Sequence, residues 1–289
     1  MMSCFVGVEA LLTLSLLFSV SVKANRNAFS SDIKSCLFDD WFSNKGILKT
    51  EVDCSGPNRS GLCYGESRTL FAVCYNNETL IPEFTGHVVE ANIMGSGRSK
   101  WINENGPFAP APQSKMKDYS ADKRYDGSYN AGHLTPNGDF GKDERKFTMV
   151  NTNSAPQWKH FNGVIWKKLE QAVRTYAKKN NKQLYVVTGT GGQLKYENGT
   201  TLELNERVLI PRYFWKAICD PSGKQSVAVI AENPIYGENN SNREILYPYS
   251  LKELKEKYPE LNLPSLQKVN ASHLKRQIFD SIKETYKVA

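Results

Sequence analysis

The sequence lacks the patterns of several common functional classes. It contains no C-x-x-C pair and no H-x-x-x-H pair, so it does not indicate a zinc site of the usual kind. Beyond residue 24, no segment approaches the roughly 20 apolar residues that a membrane-spanning helix needs. The segment TGTGGQ at 188–193 has neither G-x-G-x-x-G spacing nor a GK[ST] ending, so we interpret it as a strand end and turn, not a nucleotide-binding loop.

The first 24 residues, MMSCFVGVEALLTLSLLFSVSVKA, predict a secretory signal peptide. An apolar run from Ala10 to Val22 is followed by small residues, which favours cleavage after Ala24, although the usual basic residue before the run is missing. We therefore expect a secreted, extracellular protein whose mature chain begins near Asn25.

Cysteines are few and lie mostly near the start of the chain. Cys4 would leave with the signal peptide, and the others are Cys36, Cys54, Cys63, Cys74 and Cys219. Disulfides persist outside the cell, but the sequence does not choose between the possible pairings of two bridges and one thiol. Because four of the five lie between residues 36 and 74, we predict a disulfide-linked N-terminal region over 25–63, followed by one large domain over 64–289.

Acceptor sequons for N-linked glycans support the same secretory route. They predict glycosylation on surface loops at Asn58, Asn77, Asn198, Asn239 and Asn270. Each sequon alone is a weak signal, but they agree with the signal peptide and the cysteines.

The charge balance is basic, with 37 Lys and Arg residues against 30 Asp and Glu residues and a net charge of +7. A positive balance favours polyanionic partners such as nucleic acid or sulfated glycan. The alternative is a soluble basic protein whose charge has no such role.

Residue patterns predict an α+β fold with a largely antiparallel central sheet flanked by helices. Strands are predicted at 68–75, 86–93, 146–152, 183–190, 208–219 and 225–232. Apolar residues at helical spacing predict a long helix within 160–182, and two further helices are predicted at 250–259 and 272–287. The polar stretch from 94 to 132 is interpreted as a surface loop.

The segment YNAGHLTPNGDF at 129–140 places one of only four histidines, His133, beside a glycine and before a turn. Downstream, Asn162, Trp166 and Glu170 follow one another at intervals of four on the predicted long helix. An amide oxygen and a carboxylate on one helix face can share a hydrated hard cation. The alternatives are a surface histidine and an ordinary polar helix face.

These segments resemble the DNA/RNA non-specific endonuclease family, the ββα-metal or His-Me finger nucleases. The resemblance extends more weakly over most of residues 64–266, and it is strongest in three short motifs. The matching residues are Gly132, His133, Leu134, Pro136, Asn153, Pro156, Gln157, Asn162, Trp166 and Glu170.

The resemblance implies a sugar-non-specific endonuclease that hydrolyses DNA and RNA through contacts with the phosphate backbone. His133 would be the general base, and Asn162 would be the direct ligand of one Mg²⁺, with Mn²⁺ as a substitute. Glu170 would hold a metal-bound water, and Asn153 would orient the site. Arg98 is the candidate for contact with the phosphate. No membrane partner is expected, and the oligomeric state stays open.

The sequence departs from the family pattern immediately before Gly132. The family's Asp-Arg pair is replaced by Asn130 and Ala131, which removes a cation near the phosphate. Lys123 or Arg124 would have to compensate. The alternative is a secreted nucleic-acid-binding protein of the same fold with weak or lost hydrolysis.

Overall fold

Seven strands form one antiparallel sheet at the centre of the computed structural model. The structure describes residues 26–39, 41, 53–92, 97, 99–222, 224–240, 243–261, 263 and 272–285. The strands are β1 Arg59–Gly65, β2 Thr69–Asn76, β3 Ile81–Val89, β6 Leu184–Gln193, β9 Pro211–Asp220, β10 Gln225–Glu232 and β11 Tyr247–Tyr249. Their order across the sheet is β1-β2-β3-β6-β9-β10-β11, with every neighbouring pair antiparallel. The predicted fold class is confirmed.

Two short hairpins and four α-helices accompany this sheet, together with a π-helix at Lys34–Phe38 and several 3₁₀ turns. The hairpins pair β4 Tyr129–His133 with β5 Ser154–Trp158, and β7 Glu203–Leu204 with β8 Val208–Leu209. The helices are α1 Met116–Ala121, α2 Lys167–Asn180, α3 Leu251–Lys257 and α4 Ser272–Phe279. A π-helical segment, Phe161–Trp166, runs directly into α2. None of the described helices is long and apolar enough to cross a membrane.

One face of the sheet, which we call the disulfide face, is covered by the N-terminal segment and α3. Cys36 is bonded to Cys63 and Cys54 to Cys74, while Cys219 is a buried free thiol. The Cys36–Cys63 bridge lies within the region 25–63 that was predicted to be disulfide-linked, whereas the Cys54–Cys74 bridge joins that region to β2. Side chains of α3 and of the strands form an apolar cluster there that includes Phe38, Trp41, Phe84, Trp215 and Leu254.

The opposite face, which we call the site face, is covered by α2, α4 and the β4-β5 hairpin. The apolar spacing that predicted the long helix is confirmed, since its apolar residues are buried against this face, including Leu169, Val173 and Tyr176. Ser250 caps α3, accepting a hydrogen bond from the backbone N–H of Glu253.

Three expectations about regular structure need correction. The segment 146–152 is not a strand but a pair of 3₁₀ turns, Arg145–Thr148 and Asn151–Asn153. The stretch 94–132 is not all loop, since it contains α1 and most of β4. The predicted strand at 208–219 is two strands, separated by Ile210. The predicted boundary between residues 63 and 64 falls within β1.

Candidate active site

The β4-β5 hairpin leads into the long helix, so three consecutive elements build the candidate site. His133 is the last residue of β4 and pairs with Ser154, the first residue of β5. β5 ends at Trp158, and the π-helical segment begins soon after at Phe161. The predicted base and the predicted metal-binding helix therefore belong to one strand-strand-helix unit.

The imidazole of His133 is half-buried and contacts one side chain from an earlier segment and one from the connection between β4 and β5. The Trp101 ring lies 4.4 Å from the imidazole ring, centroid to centroid, and Met149 Sδ lies 3.2 Å from Nε2. Trp101 and Met149 directly precede Ile102 and Val150, which form a parallel β-bridge. The bridge between Ile102 and Val150 therefore positions both Trp101 and Met149 against the imidazole ring.

Asn153 fixes the backbone that follows His133. Its Nδ2 donates to the carbonyls of Thr135 and Thr148, each at 3.0 Å, and its Oδ1 accepts from Thr135 N–H at 2.9 Å. The side chain is fully buried. The amide of Asn153 is therefore bonded at both ends to backbone groups around His133.

Asn162 lies in the π-helical segment, where the sequence predicted a regular α-helix. Single π-helical turns widen a helix and often occur at functional sites. Asn162 Nδ2 donates to Asn130 Oδ1 at 2.7 Å, which links the helix to β4 three residues before His133. Because the amide nitrogen is used in this bond, Oδ1 is the atom that Asn162 presents to a ligand.

Glu170 lies in the first turn of α2 and is half-buried. Burial raises the pKa of its carboxyl to about 7, and the charge of Asp139 raises it as well, while Lys216 and Arg174 act in the opposite direction. The described part of the chain supplies no hydrogen bond to this carboxyl group. A carboxyl group in this state gains most from a nearby cation.

A buried ionic network anchors the loop after His133 to the sheet and to α2. His87 Nε2 donates to Asp139 Oδ2 at 2.8 Å, and Arg174 donates to Asp139 Oδ1 at 2.6 Å. Burial lowers the pKa of His87, which keeps the imidazole neutral. Arg174 stands one turn after Glu170 on the same helix, so Asp139 ties the position of Glu170 to the loop that follows His133.

A row of polar residues crosses the site face of the sheet. Thr85, Thr188 and Lys216 are cross-strand neighbours on β3, β6 and β9. The hydroxyl of Thr135, in the loop after His133, donates to Thr85 Oγ1 at 2.8 Å, and the buried ammonium of Lys216 donates to Thr188 Oγ1. The Lys216 ammonium also lies 5.5 Å from the centre of the Trp166 ring. The row runs from the loop after His133 to the π-helical segment that contains Trp166.

Gly132 is needed for packing within the hairpin. A Cβ atom at this position would collide with the side chain of Gln157, a buried residue of β5 that pairs with Asn130. The space beside Gly132 is therefore already filled by protein.

The three residues predicted to contact phosphate differ in their exposure and in the bonds that they make. Arg98 lies outside the described residues. Lys123 is exposed. Arg124 donates to Asp122 Oδ2 at 2.7 Å and to the carbonyl of Glu203 at 2.8 Å, so its guanidinium is already engaged. These bonds do not bring Arg124 to His133.

The sequons occupy mostly exposed positions. Asn58, Asn198 and Asn239 are exposed, and Asn77 is half-buried, with its Nδ2 donating to Ser60 Oγ at 3.1 Å. Asn270 lies outside the described residues.

Comparison with protein families gives a match to the model described as DNA/RNA non-specific endonuclease, over residues 54–263. The match covers most of the chain and includes the whole strand-strand-helix unit. The protein belongs to the DNA/RNA non-specific endonuclease family.

Individual relatives agree with this family. A protein named salivary endonuclease from Lutzomyia longipalpis is 25% identical over 215 residues, which is 64% of this chain and 52% of that protein. The chain thus spans about half the length of that curated relative. A chain in the crystal structure of an EndoG/EndoGI complex, concerned with EndoG inhibition, matches with a TM-score of 0.50 at 17% identity, covering 91% of this chain and 97% of that chain. That likeness supports the fold.

Endonucleases of this family depend on a metal ion, and the donors present here fit a hydrated hard cation. The described residues contain no cluster of three or more His, Cys, Asp and Glu side chains suited to a metal. An amide oxygen on Asn162 and a half-buried carboxyl group on Glu170 match an ion that keeps most of its waters. They do not match zinc, which takes nitrogen and sulfur ligands.

Several residues of the candidate site were not predicted from the sequence. Lys216 was not singled out, although its position between Trp215 and Ala217 in an otherwise apolar strand was a signal. Asn130 was noted only as a departure from the family pattern. Met149 gave no signal, because its contact with His133 depends on a bridge between distant segments.

Proposed function

We propose that the protein is a secreted endonuclease that hydrolyses phosphodiester bonds of DNA and RNA, with one Mg²⁺ and with His133 as general base. The observation that carries the proposal is the strand-strand-helix unit, in which His133 ends β4 and Asn130 bonds to Asn162 at 2.7 Å. Family membership supports nuclease activity, and this geometry supports the assignment of roles.

Each of the proposed site residues has a separate role in hydrolysis. Neutral His133 takes a proton from the attacking water, the oxygen of that water bonds to phosphorus, and the bond to the leaving 3′ oxygen breaks. Asn162 Oδ1 would hold the Mg²⁺ directly, with Glu170 holding one of its waters, and Mn²⁺ would fit the same donors. When bound, the ion neutralises charge that develops on the phosphate and the leaving oxygen.

Substrate contact would be made through phosphates, which carry little sequence information. Arg98 is the proposed phosphate contact, and exposed Lys123 is better placed than Arg124 to replace the missing family arginine. Arg124 is held by Asp122 and Glu203, so its use would require breaking those bonds.

We also propose that the chain is cleaved after Ala24, secreted and glycosylated. The two disulfides and the naming of a relative as a salivary endonuclease support an extracellular location. Glycans are proposed at Asn58, Asn77, Asn198, Asn239 and Asn270. Mass spectrometry of the secreted protein, before and after removal of N-linked glycans, would identify the mature N-terminus and the occupied sequons.

The decisive experiment uses purified protein with supercoiled plasmid and with RNA, in Mg²⁺ and in EDTA. We expect cleavage of both polymers in Mg²⁺, none in EDTA, and a loss of about 1,000-fold or more in His133→Ala, since a general base typically contributes about 10²–10⁴ in rate. His273→Ala, at an exposed position on α4, is the matched control and should retain activity. Cleavage that persists in His133→Ala would contradict the assigned base.

The alternative is a nucleic-acid-binding protein with weak or lost hydrolysis. It is favoured by one observation, Ala131 at the position of the family arginine. Removing a charge-assisted contact costs about 2–3 kcal/mol, or roughly two decades in rate if the contact acts only in the transition state. Intact polymers that are retarded on a gel by the wild-type protein would support this alternative. Higher activity in Ala131→Arg would show instead that hydrolysis is present and limited at this position.

A further inference from the structure

Residues 26–28 lie along the segment that carries Trp101. The Ala28 N–H donates to the buried carboxylate of Glu104 at 2.8 Å, which ties the two segments together. The Trp101 ring lies 4.4 Å from the imidazole of His133, centroid to centroid. The N-terminal segment is therefore anchored next to a loop that contacts the proposed base.

The Arg26 guanidinium joins the two segments that contact the imidazole of the proposed base. Its Nη1 donates to the Lys100 carbonyl at 3.0 Å and to the Lys146 carbonyl at 3.3 Å. Lys100 directly precedes Trp101. Lys146 lies in the 3₁₀ turn that precedes Met149, whose Sδ contacts the imidazole at 3.2 Å. Arg26 is thus bonded to both segments that supply a side chain in contact with the ring.

The bonds of Arg26 leave one edge of its guanidinium for a ligand. A guanidinium has five N–H donors, and the two on Nη1 suffice for the two carbonyls. Nε and Nη2 make no hydrogen bond to any of the described residues. These two nitrogens form an edge with parallel N–H bonds, the geometry that binds two oxygens of a phosphate.

The charge of Arg26 also favours an anionic ligand. Arg124 and Arg207 are paired with the carboxylates of Asp122 and Asp118, whereas no described carboxylate pairs with Arg26, which is half-buried. Burial lowers the pKa of Arg26, because the charged form loses hydration, but an arginine stays protonated in a protein. A half-buried cation without a counter-ion is stabilised when an anion binds to it.

We propose that Arg26 binds a phosphate of the nucleic-acid substrate through Nε and Nη2, and so replaces the cation that is missing from the family pattern at Ala131. The role rests on the proposed function, because a phosphate beside His133 is a substrate phosphate only if this histidine acts on nucleic acid. Arg26, and not Lys123, is then the residue that compensates for the lost arginine.

The first measurement is the affinity of the full chain for a short labelled DNA duplex, by fluorescence anisotropy in EDTA at several salt concentrations. Arg26→Gln keeps a donor for the carbonyls and removes the charge. We expect its affinity to fall by about tenfold or more, and the slope of log affinity against log salt to decrease in magnitude by about 0.9, the value of one phosphate contact. Arg26→Lys keeps the charge and should keep the slope.

Two further variants make the binding experiment specific. Lys252→Gln, at an exposed position on α3 and so on the disulfide face, is the matched control for the loss of one positive charge and should leave the slope unchanged. Lys123→Gln tests the rival residue. A slope in Arg26→Gln equal to that of the wild type would overturn the proposal, even if thermal unfolding showed a loss of stability.

The second measurement is steady-state cleavage in Mg²⁺ with Ala131→Arg in two backgrounds. In Arg26→Gln we expect kcat/KM to fall by about 10-fold to 100-fold, the factor of one charge-assisted hydrogen bond. Adding Ala131→Arg to this variant should recover most of the loss, whereas in the wild type it should raise kcat/KM by at most about threefold. Equal gains in the two backgrounds would show that the positions act independently and would overturn the replacement.

The two measurements separate the possible failures. If Arg26→Gln lowers the salt slope but the wild type does not cleave, the proposed function is refuted and the phosphate contact of Arg26 stands. If the wild type cleaves and Arg26→Gln changes neither the slope nor kcat/KM, the contact is refuted and the nuclease stands.

Discussion

The two faces of the central sheet bury different kinds of residue at adjacent positions. On β9, Trp215 packs into the apolar cluster of the disulfide face, whereas the next residue, Lys216, is buried on the site face beside Thr188. Successive strand residues point to opposite faces, so the two share a backbone and differ in their surroundings. Burying a charge costs free energy that burying an indole does not. From this comparison we infer that the disulfide face contributes mainly to stability. The site face buries a charge at a cost in folding free energy, and we connect that cost with function.

The largest expected effect is on stability at the disulfide face. Trp215→Ala should lower the free energy of unfolding by about 3–5 kcal/mol, because it leaves a cavity where the indole now packs. Urea unfolding followed by circular dichroism would measure the loss. Activity per folded molecule, assayed at a urea concentration well below the unfolding midpoint of the variant, should stay within about twofold of the wild type. This follows if residues of the disulfide face do not contribute to the candidate site.

Lys216→Met should have the opposite effects to Trp215→Ala: stability should be kept and activity should fall. It replaces a buried cation by an apolar side chain of similar length, a change that often leaves stability neutral or improved. Burial already raises the pKa of Glu170 to about 7, and Lys216 and Arg174 oppose that rise, so loss of Lys216 should raise this pKa further. The carboxyl group would then be protonated at neutral pH, and activity should fall by about tenfold for each unit of pKa.

A pH profile of kcat/KM would test the Lys216 prediction. The acid limb of the Lys216→Met profile should move to higher pH, with activity partly recovered in alkaline buffer. Lys216→Met with an unchanged profile and reduced stability would mean that both faces serve only packing.

The hydrogen bond between Asn130 and Asn162 allows a more local test of the site face. Asn130→Ala removes the acceptor that orients the Asn162 amide, and we expect Mg²⁺ affinity to fall by about tenfold, as for other groups that orient a metal ligand. Asn130→Asp keeps an acceptor and adds a negative charge, so it should bind Mg²⁺ more tightly than Asn130→Ala. Isothermal titration without substrate would measure both, with Asn180→Ala at the end of α2 as the control.

The smallest expected effect is a loss of folding stability at acidic pH that is caused by the His87–Asp139 pair. Burial lowers the pKa of His87, and although burial alone would raise the pKa of Asp139, its bonds with His87 and Arg174 hold that pKa below its usual value. The folded protein therefore resists protonation at both groups. Their contribution to stability is present above about pH 6.5 and declines as pH falls, first through His87 and then, below about pH 4, through Asp139.

Thermal unfolding from pH 8 down to the acidic range below about pH 4 would measure this dependence. His87→Gln should remove the part of the decline that begins near pH 6.5 and leave the more acidic part. An identical pH dependence in His87→Gln and the wild type would show that other groups cause it.

Much of the fold was predictable because its strands and long helix have strong local patterns. β10 matches its predicted bounds, and the helix residues Leu169, Val173 and Tyr176 gave the correct buried face. β4 and β5 were missed because YNAGH and SAPQW are short, and Pro156 is unfavourable within a strand. The segment KFTMVNT was wrongly predicted as a strand because its β-branched and aromatic residues are buried without a ladder.

The candidate site was predictable where the family motif is local and unpredictable where it depends on long-range pairing. His133, Asn153, Asn162 and Glu170 were named as site residues because they match the family motif that the sequence resembles. The polar row beneath them joins β3, β6 and β9, which are separated by many residues, so no local pattern shows it. Lys216 was hidden for the same reason.

The bonded pair Cys36 and Cys63 has a further consequence for how the molecule behaves in concentrated solution. Phe29 N–H donates to the Cys63 carbonyl and Cys63 N–H donates to the Ser30 carbonyl, each at 2.9 Å, so the N-terminal segment occupies the outer edge of β1. An unoccupied edge would be a template for a strand from a second copy. At the far edge, β11 has only three residues, with Pro248 in the middle. The protein should therefore resist aggregation through strand addition while the disulfide is intact, and lose that resistance first at β1 in reducing buffer.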